Sequence, residues 1–338
     1  MKNKKINLFI LTIAFLLVLY FALKDNFKDV LKQLSKVNLW IFVFAILIYV
    51  TSLAFKSLSL HMFIKNHKKD YPWKKTYELT LIGQFLNGIT PFQSGGQPFQ
   101  VYLLKKQGIR ISDSTSAMIK DFISFQIALI LMGVVALVSN KLFGVMAKQS
   151  YLNWLIGLGF IINVIVLLFL FLITSTKKTS LKIINKLLDA VFRLKIVKKT
   201  SITKERIMSG LSNFYESGIE LRKDKLKLFF AITYNVINLV LLYLIPFIIF
   251  KSIGCDSVTP FASVVVTAFI MLIGNFIPIP GATGGIEYSF ICFFGSFISS
   301  KSILSSSMLL WRFVTYFLGM VIGYMVLVFK REVNKKWE

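Results

Sequence analysis

Pro91-Phe92-Gln93-Ser94-Gly95-Gly96-Gln97-Pro98-Phe99 and Pro280-Gly281-Ala282-Thr283-Gly284-Gly285-Ile286-Glu287-Tyr288 share one pattern, Pro-x-x-Ser/Thr-Gly-Gly-x-Pro/Glu-Phe/Tyr. Each interrupts an apolar run, Leu79 to Leu104 in the first case and Phe261 to Ile298 in the second. A phenylalanine, Phe85 or Phe276, precedes each break on its entering arm. Proline removes a backbone donor and glycine admits positive φ, so neither run is one continuous helix. Irregular backbone at membrane depth persists only when buried in protein or lining a wet cavity. The pattern predicts two helical hairpins related as a structural repeat.

The surroundings of the breaks are apolar. Of 338 residues, 56% are hydrophobic and 16% charged, where a soluble domain has about a quarter charged. Runs near 6–23, 38–64, 114–139, 152–174, 228–250 and 303–329 are long enough to cross a bilayer as helices. The first follows the basic leader Met1-Lys2-Asn3-Lys4-Lys5. Its length exceeds the apolar core of a signal peptide and no small-x-small site follows, so it reads as a retained anchor. The expected fold is an all-α polytopic membrane helix bundle, about six full spans plus two re-entrant helical hairpins in inverted repeat. It forms a single integral membrane domain, 1–338, with halves of about 1–139 and 152–329.

The formal charge of +25 would suggest nucleic acid if it were not so unevenly placed. If both hairpins return to the side they enter, segments 1–5, 65–75, 105–110, 176–227 and 330–338 share one side and carry 29 basic residues. The other side holds eight, and Lys56, Lys120 and Arg312 fall within spans. Basic loops mark the cytoplasmic face of a cell membrane and its anionic lipid. Both termini and the connector 176–227 are therefore expected in the cytoplasm, and nucleic acid is not the expected partner. Within the connector, Ile183, Ile184, Leu187, Leu188, Val191 and Phe192, and then Ile207, Leu211, Phe214, Tyr215 and Ile219, each fall on one helical face. These read as amphipathic helices on the inner leaflet, with a connector packed on its own bundle as the other reading.

In this topology the hairpins enter from opposite sides. Inverted repeats with broken helices meeting near the midplane are a transporter architecture in which half-helix N-termini face anionic groups. The candidate substrate-binding residues at the first break are Asn87, Pro91, Ser94, Gly95, Gly96 and Gln97, and at the second Pro280, Thr283, Gly284, Gly285 and Glu287. The Gly-Gly pairs would offer free N–H groups to a phosphate, and Ser94 or Thr283 a hydroxyl. A packed kink without ligand is the competing reading. Lys120, Asp121 and Arg312 complete the candidate set, since ionisable groups in apolar spans face a partner or a cavity. Lys56 either shares that role or snorkels. Adjacent Lys120 and Asp121 lie about 100° apart on a helix and cannot serve one partner, whereas Glu287 and Arg312 make an economical neutral pair.

Catalytic and metal constellations are missing from the sequence. His61 and His67, with Cys255 and Cys292, have no metal-ligand spacing. No Gly-x-Ser-x-Gly, His-Glu-x-x-His or Walker pattern occurs. No catalytic residue, metal or cofactor is expected.

The stretch Gly83-Gln84-Phe85-Leu86-Asn87-Gly88-Ile89-Thr90-Pro91, continuing through Gly95-Gly96-Gln97-Pro98 to Tyr102, resembles the lysylphosphatidylglycerol synthase transmembrane-domain family. So does Asn275-Phe276-Ile277-Pro278-Ile279-Pro280-Gly281 through Gly284-Gly285 to Glu287. The resemblance covers nearly the whole chain. It implies a flippase or scramblase handling anionic or aminoacylated phospholipids of the lysylphosphatidylglycerol type, with cationic peptide and antibiotic resistance as a consequence. Full-length members carry a soluble domain that transfers lysine from lysyl-tRNA to phosphatidylglycerol. The 338 residues contain no such domain, so a stand-alone membrane member is expected. A membrane component of a phosphatidylglycerol lysyltransferase with a separate soluble partner, and a secondary transporter of a small anionic solute, are the alternatives. Homo-oligomerisation stays open.

Overall fold

The computed structural model describes residues 32–146, 150–173, 215–275 and 277–335. The span expected at 6–23, the faces expected at 183–192 and 207–214, and Phe276 lie outside the described residues. In chain order the helices are α1 (Leu39–Ile64), α2 (Trp73–Gly88), α3 (Gly96–Lys106), α4 (Ile111–Phe143), α5 (Ser150–Ile173), α6 (Lys225–Ser252), α7 (Pro260–Gly274), α8 (Gly285–Phe294), α9 (Lys301–Arg312) and α10 (Leu318–Lys335). A π-helical turn, Phe313–Phe317, joins α9 to α10. All the regular elements described are helical.

Five helices among the described residues are long and apolar enough to cross a membrane: Leu39–Ile64, Ile111–Phe143, Asn153–Leu172, Lys225–Ser252 and Lys301–Phe329. They coincide with the expected spans to within a few residues. Their outer surfaces are apolar, with Trp154, Leu158, Ile161, Ile165 and Leu168 exposed along one face of α5 and Leu131, Val134, Val135 and Val138 along α4. Apolar stripes of this extent belong against lipid.

The interrupted runs fold as helical hairpins. α2 has 16 residues and α3 has 11, or about 24 and 16 Å at 1.5 Å per residue, each short of the ~30 Å hydrocarbon core. α7 and α8, with 15 and 10 residues, are shorter still. Within each hairpin the arms pack on each other, α2 on α3 and α7 on α8. Packing between the halves is reciprocal: α1 runs along α6, α10 packs on α2, and α4 packs on α7.

Close approach of α10 to α2 and α1 depends on two glycines. Gly323 lies against the Leu81 carbonyl and Gly319 against the Tyr49 hydroxyl, leaving no room for a Cβ at either. An aromatic core behind the second hairpin holds α6, α8 and α9 together. Phe290 stacks on Trp311 at 4.9 Å between centroids, and Phe250 and Phe294 complete the cluster. The described end of the connector, residues 215–223, is helical. It docks on the bundle rather than on lipid: Leu221 is buried in a core cluster with Phe63, Ala117 and Met118, and Ser217 donates to Ser116 at 2.9 Å.

Candidate functional site

The two breaks have the same local chemistry. Pro91–Gln93 and Pro280–Ala282 each form one 3-10 turn. The hydroxyl that follows closes the turn on the proline carbonyl, Ser94 on Pro91 and Thr283 on Pro280, both at 2.9 Å. Phe92 and Gln93 take positive φ in the first turn, as do Gly281 and Ala282 in the second. Non-glycine residues rarely occupy this region, and such strain clusters at functional sites.

The helix that begins after each turn is capped from within its own hairpin. The Gly96 N–H donates to Asn87 Oδ1 at 2.8 Å and the Gly95 N–H to Thr90 Oγ1 at 2.8 Å. In the second hairpin the Gly284 N–H donates to Glu287 Oε2 at 2.7 Å. At Gly95, Gly96 and Gly284 the expectation of donors left free for a phosphate is therefore corrected, because side chains of the same hairpin occupy these N–H groups first. Ser94 and Thr283 likewise spend their protons on the turn. Gly96 and Gly285 are required by packing: a Cβ on Gly96 would lie 2.5 Å from Asn87 Oδ1, and one on Gly285 would overlap the Ile277 side chain.

The turns meet inside the bundle. Tyr316, in the π turn, donates to the Gly88 carbonyl of the first hairpin at 2.9 Å, while its ring lies against Gly281 of the second. Arg312 Nη2 donates to the Gly281 carbonyl at 3.1 Å, and its guanidinium lies 4.2 Å from the Tyr316 ring centroid. Arg312 Nε is 2.8 Å from Glu287 Oε1, both side chains being buried. The N–H is not aligned on that oxygen, so the contact is an ion pair rather than a straight hydrogen bond. Glu287 thus joins two tasks, capping α8 with one oxygen and neutralising Arg312 with the other.

Between the turns and the α1–α6 pair lies a cavity of about 160 Å³, far above the ~10–15 Å³ that one water needs. α1 contributes Tyr49 and Lys56, α2 Gln84 and Asn87, α6 Asn238 and Tyr243, and α9 Trp311 and Arg312; Gln93 and Gly281 come from the turns. Tyr49 Oη, Asn238 Oδ1, Tyr243 Oη and Trp311 Nε1 are buried with no hydrogen-bond partner among the described residues. Buried polar atoms are normally paired, so four orphans on one cavity leave room there for water or another polar group to complete the bonding.

Of the residues expected from sequence, Asn87 and Arg312 line this cavity. Asn87, Gln97 and Asp121 line a smaller one beside it. Gly95 borders an apolar groove on the outer side of the first hairpin with Leu86, Pro98 and Phe99. Pro91, Ser94, Gly96, Pro280, Thr283, Gly284 and Gly285 build the turns and helix starts and do not line the central cavity. Lys120 is a correction. Its ammonium pairs with Glu220 Oε2 at 2.5 Å beneath the connector helix, apart from the breaks, because the 100° step from Asp121 turns it to another face. Asp121 points instead to α1, accepting from Ser59 Oγ at 2.6 Å. Lys56 does not snorkel. It borders both cavities, 5.5 Å from the Phe125 ring centroid.

Sequence reasoning missed Tyr49, Gln84, Asn238, Tyr243 and Tyr316. The amides alone left a signal, since an amide within an apolar run is costly unless paired. Among the described residues no group of three or more His, Cys, Asp or Glu gathers as a metal site.

Comparison with known proteins agrees with this architecture. A UPF0104 membrane protein of Pyrococcus horikoshii is 23% identical over 98% of both chains. A UPF0104 membrane protein of Methanocaldococcus jannaschii is 24% identical, over 97% of this chain and 96% of its own. An uncharacterized protein of Mycoplasma pneumoniae is 23% identical over 93% of this chain and 84% of its own. The family model for the lysylphosphatidylglycerol synthase TM region matches residues 7–323. By that match over nearly its whole length, the chain belongs to the lysylphosphatidylglycerol synthase transmembrane-region family.

Proposed function

We propose that this protein is a phospholipid translocase of flippase or scramblase type, moving an anionic or aminoacylated phospholipid between leaflets. The observation that carries the reading is the central cavity, where two hairpin turns meet beside Lys56 and Arg312 and four buried polar atoms lack partners among the described residues. Half-helices meeting around a polar chamber inside an apolar bundle are how membrane carriers hold a polar group away from water. A lipid head group offers the phosphate oxygens and hydroxyls that such a lining needs, while its chains stay against the apolar outer surface.

In this reading the chain has six spans and two re-entrant hairpins in inverted repeat. The reciprocal packing of α10 on α2 and α4 on α7 about the α1–α6 pair supports that symmetry. The division of basic residues supports cytoplasmic termini in a cell membrane.

Purified protein in liposomes with fluorescent phosphatidylglycerol, lysylphosphatidylglycerol or phosphatidylcholine tests the proposal by dithionite quenching of the outer leaflet. Faster loss of the protected inner signal than in protein-free liposomes is expected, greatest for the anionic or lysylated lipid and reduced by Asn238→Leu. A rate equal to that of empty liposomes for all three lipids overturns it.

A further inference from the structure

Beside the central cavity lies a second one of about 50 Å³, and Lys56, Gln84 and Asn87 border both. Asp121 lines only the smaller one. Its Oδ1 accepts from Ser59 Oγ at 2.6 Å, and Ser59 Oγ accepts from Asn235 Nδ2 at 2.9 Å. Lys56 and Asp121 therefore face a shared space and act on one another electrostatically. Lys56 nonetheless forms no ion pair within 4 Å among the described residues. It borders both the cavity that Asp121 lines and the chamber that holds the orphan polar atoms.

The charges on the two cavities sum in a definite way. Arg312 and Glu287 neutralise each other at 2.8 Å. Lys120, next to Asp121 in sequence, is committed to Glu220, and His61 on α1 is bonded to Thr76. What α2 and α3 present to Asp121 is neutral: Thr80, Gln84, Asn87, Gln97 and Gln100. Among the described residues, Lys56 is the one cation lining that cavity. With both ionised, Lys56 and Asp121 already cancel, and an entering anion would leave a buried net charge of −1, which the low-dielectric interior opposes.

We propose that Asp121 is a proton-binding site coupled through Lys56 to a phosphate-ester anion in the central cavity, one proton entering with each anion. A proton forms an O–H bond to the Asp121 carboxylate, and the Lys56 charge, no longer balanced by Asp121, is compensated by the phosphate oxygens. When the anion leaves, the proton dissociates and the Asp121 carboxylate again balances Lys56. The protein then carries an electroneutral unit. This rests on the reading that the central cavity receives an anionic head group.

Calorimetry of the purified chain in micelles tests it with two phosphodiesters that stay monoanionic from pH 5 to 8, dimethyl phosphate and dioctanoyl-phosphatidylglycerol. Buffers of different ionisation enthalpy report protons taken up on binding. About one proton per anion is expected. Because the protonated form is the one that binds, affinity should rise as pH falls, by up to about tenfold per unit. Asp121→Asn keeps an oxygen for Ser59. It should bind with no proton uptake and no pH dependence, while Lys56→Gln should lose binding at every pH. Wild-type binding without proton uptake, with a pH profile shared by Asp121→Asn, overturns the coupling and leaves lipid translocation standing. Proton-linked binding of dimethyl phosphate in a protein that moves no lipid in liposomes keeps the coupled site and overturns the translocase reading. Binding of neither phosphodiester overturns the site.

Discussion

Glu287→Gln should destabilise the protein by about 3 kcal/mol. The substitution keeps the side-chain length and an oxygen able to accept from the Gly284 N–H, so the cap at 2.7 Å survives. What is lost is the negative charge 2.8 Å from Arg312, whose side chain is only 7% exposed. Removing one member of a buried pair typically costs ~3–5 kcal/mol, because the other charge is left without compensation. The low end is expected, since Arg312 keeps the Gly281 carbonyl and a cation–π contact with Tyr316 at 4.2 Å, an interaction that reaches about 2 kcal/mol when desolvated. A loss of ~3 kcal/mol is about a hundredfold shift in the folding equilibrium. It is measured by equilibrium unfolding with SDS in mixed micelles. Arg312→Gln should cost a similar amount, and the double substitution less than either single one, because it leaves no charge stranded. Single effects below about 1 kcal/mol that add in the double variant would refute the coupling.

Gly323→Ala should cost about 1–3 kcal/mol, because the new Cβ would meet the Leu81 carbonyl, which is backbone and cannot rotate away; Gly157→Ala, with nothing within 4 Å, should be neutral or mildly stabilising in the same melt. A cysteine at Thr200, with Cys255 and Cys292 replaced by serine, should resist a membrane-impermeant maleimide in sealed cells and react after permeabilisation. Labelling of that cysteine in sealed cells would invert the topology proposed from the basic residues.

The sequence made the architecture readable where one physical term dominates. Long uncharged runs have few ways to satisfy their backbone in lipid, so α1, α4, α5 and α6 stand where hydropathy put them. Pro and Gly forbid a continuous helix, so the breaks at Pro91 and Pro280 were equally plain. The Glu287–Arg312 contact followed from the cost of either charge alone. The role of the glycine pairs was not legible, since a free N–H and one capped by Asn87 or Glu287 look alike until side-chain positions are known. The cavity lining was hidden for a related reason. Tyr49, Gln84, Asn238 and Tyr243 come from three helices, and nothing in their spacing along the chain reports that they converge. Lys120 misled because an intramembrane cation indicates that a partner exists without saying which, and its partner Glu220 lies 100 residues away.

The internally capped turns bear on the translocation proposed above. A broken helix whose donors waited for cargo would leave bare N–H groups in a dry interior each time the cargo left, and the protein would be least stable between rounds. Here Thr90 and Asn87 serve the first turn and Glu287 the second, so those donors are satisfied whether the chamber is full or vacated. The turns can keep one shape through loading and unloading. In the proposed translocation, the return of an unloaded carrier then carries no penalty from those groups, and adaptation to the guest falls to Lys56 and to the tyrosine and amide side chains around it that have no partner among the described residues.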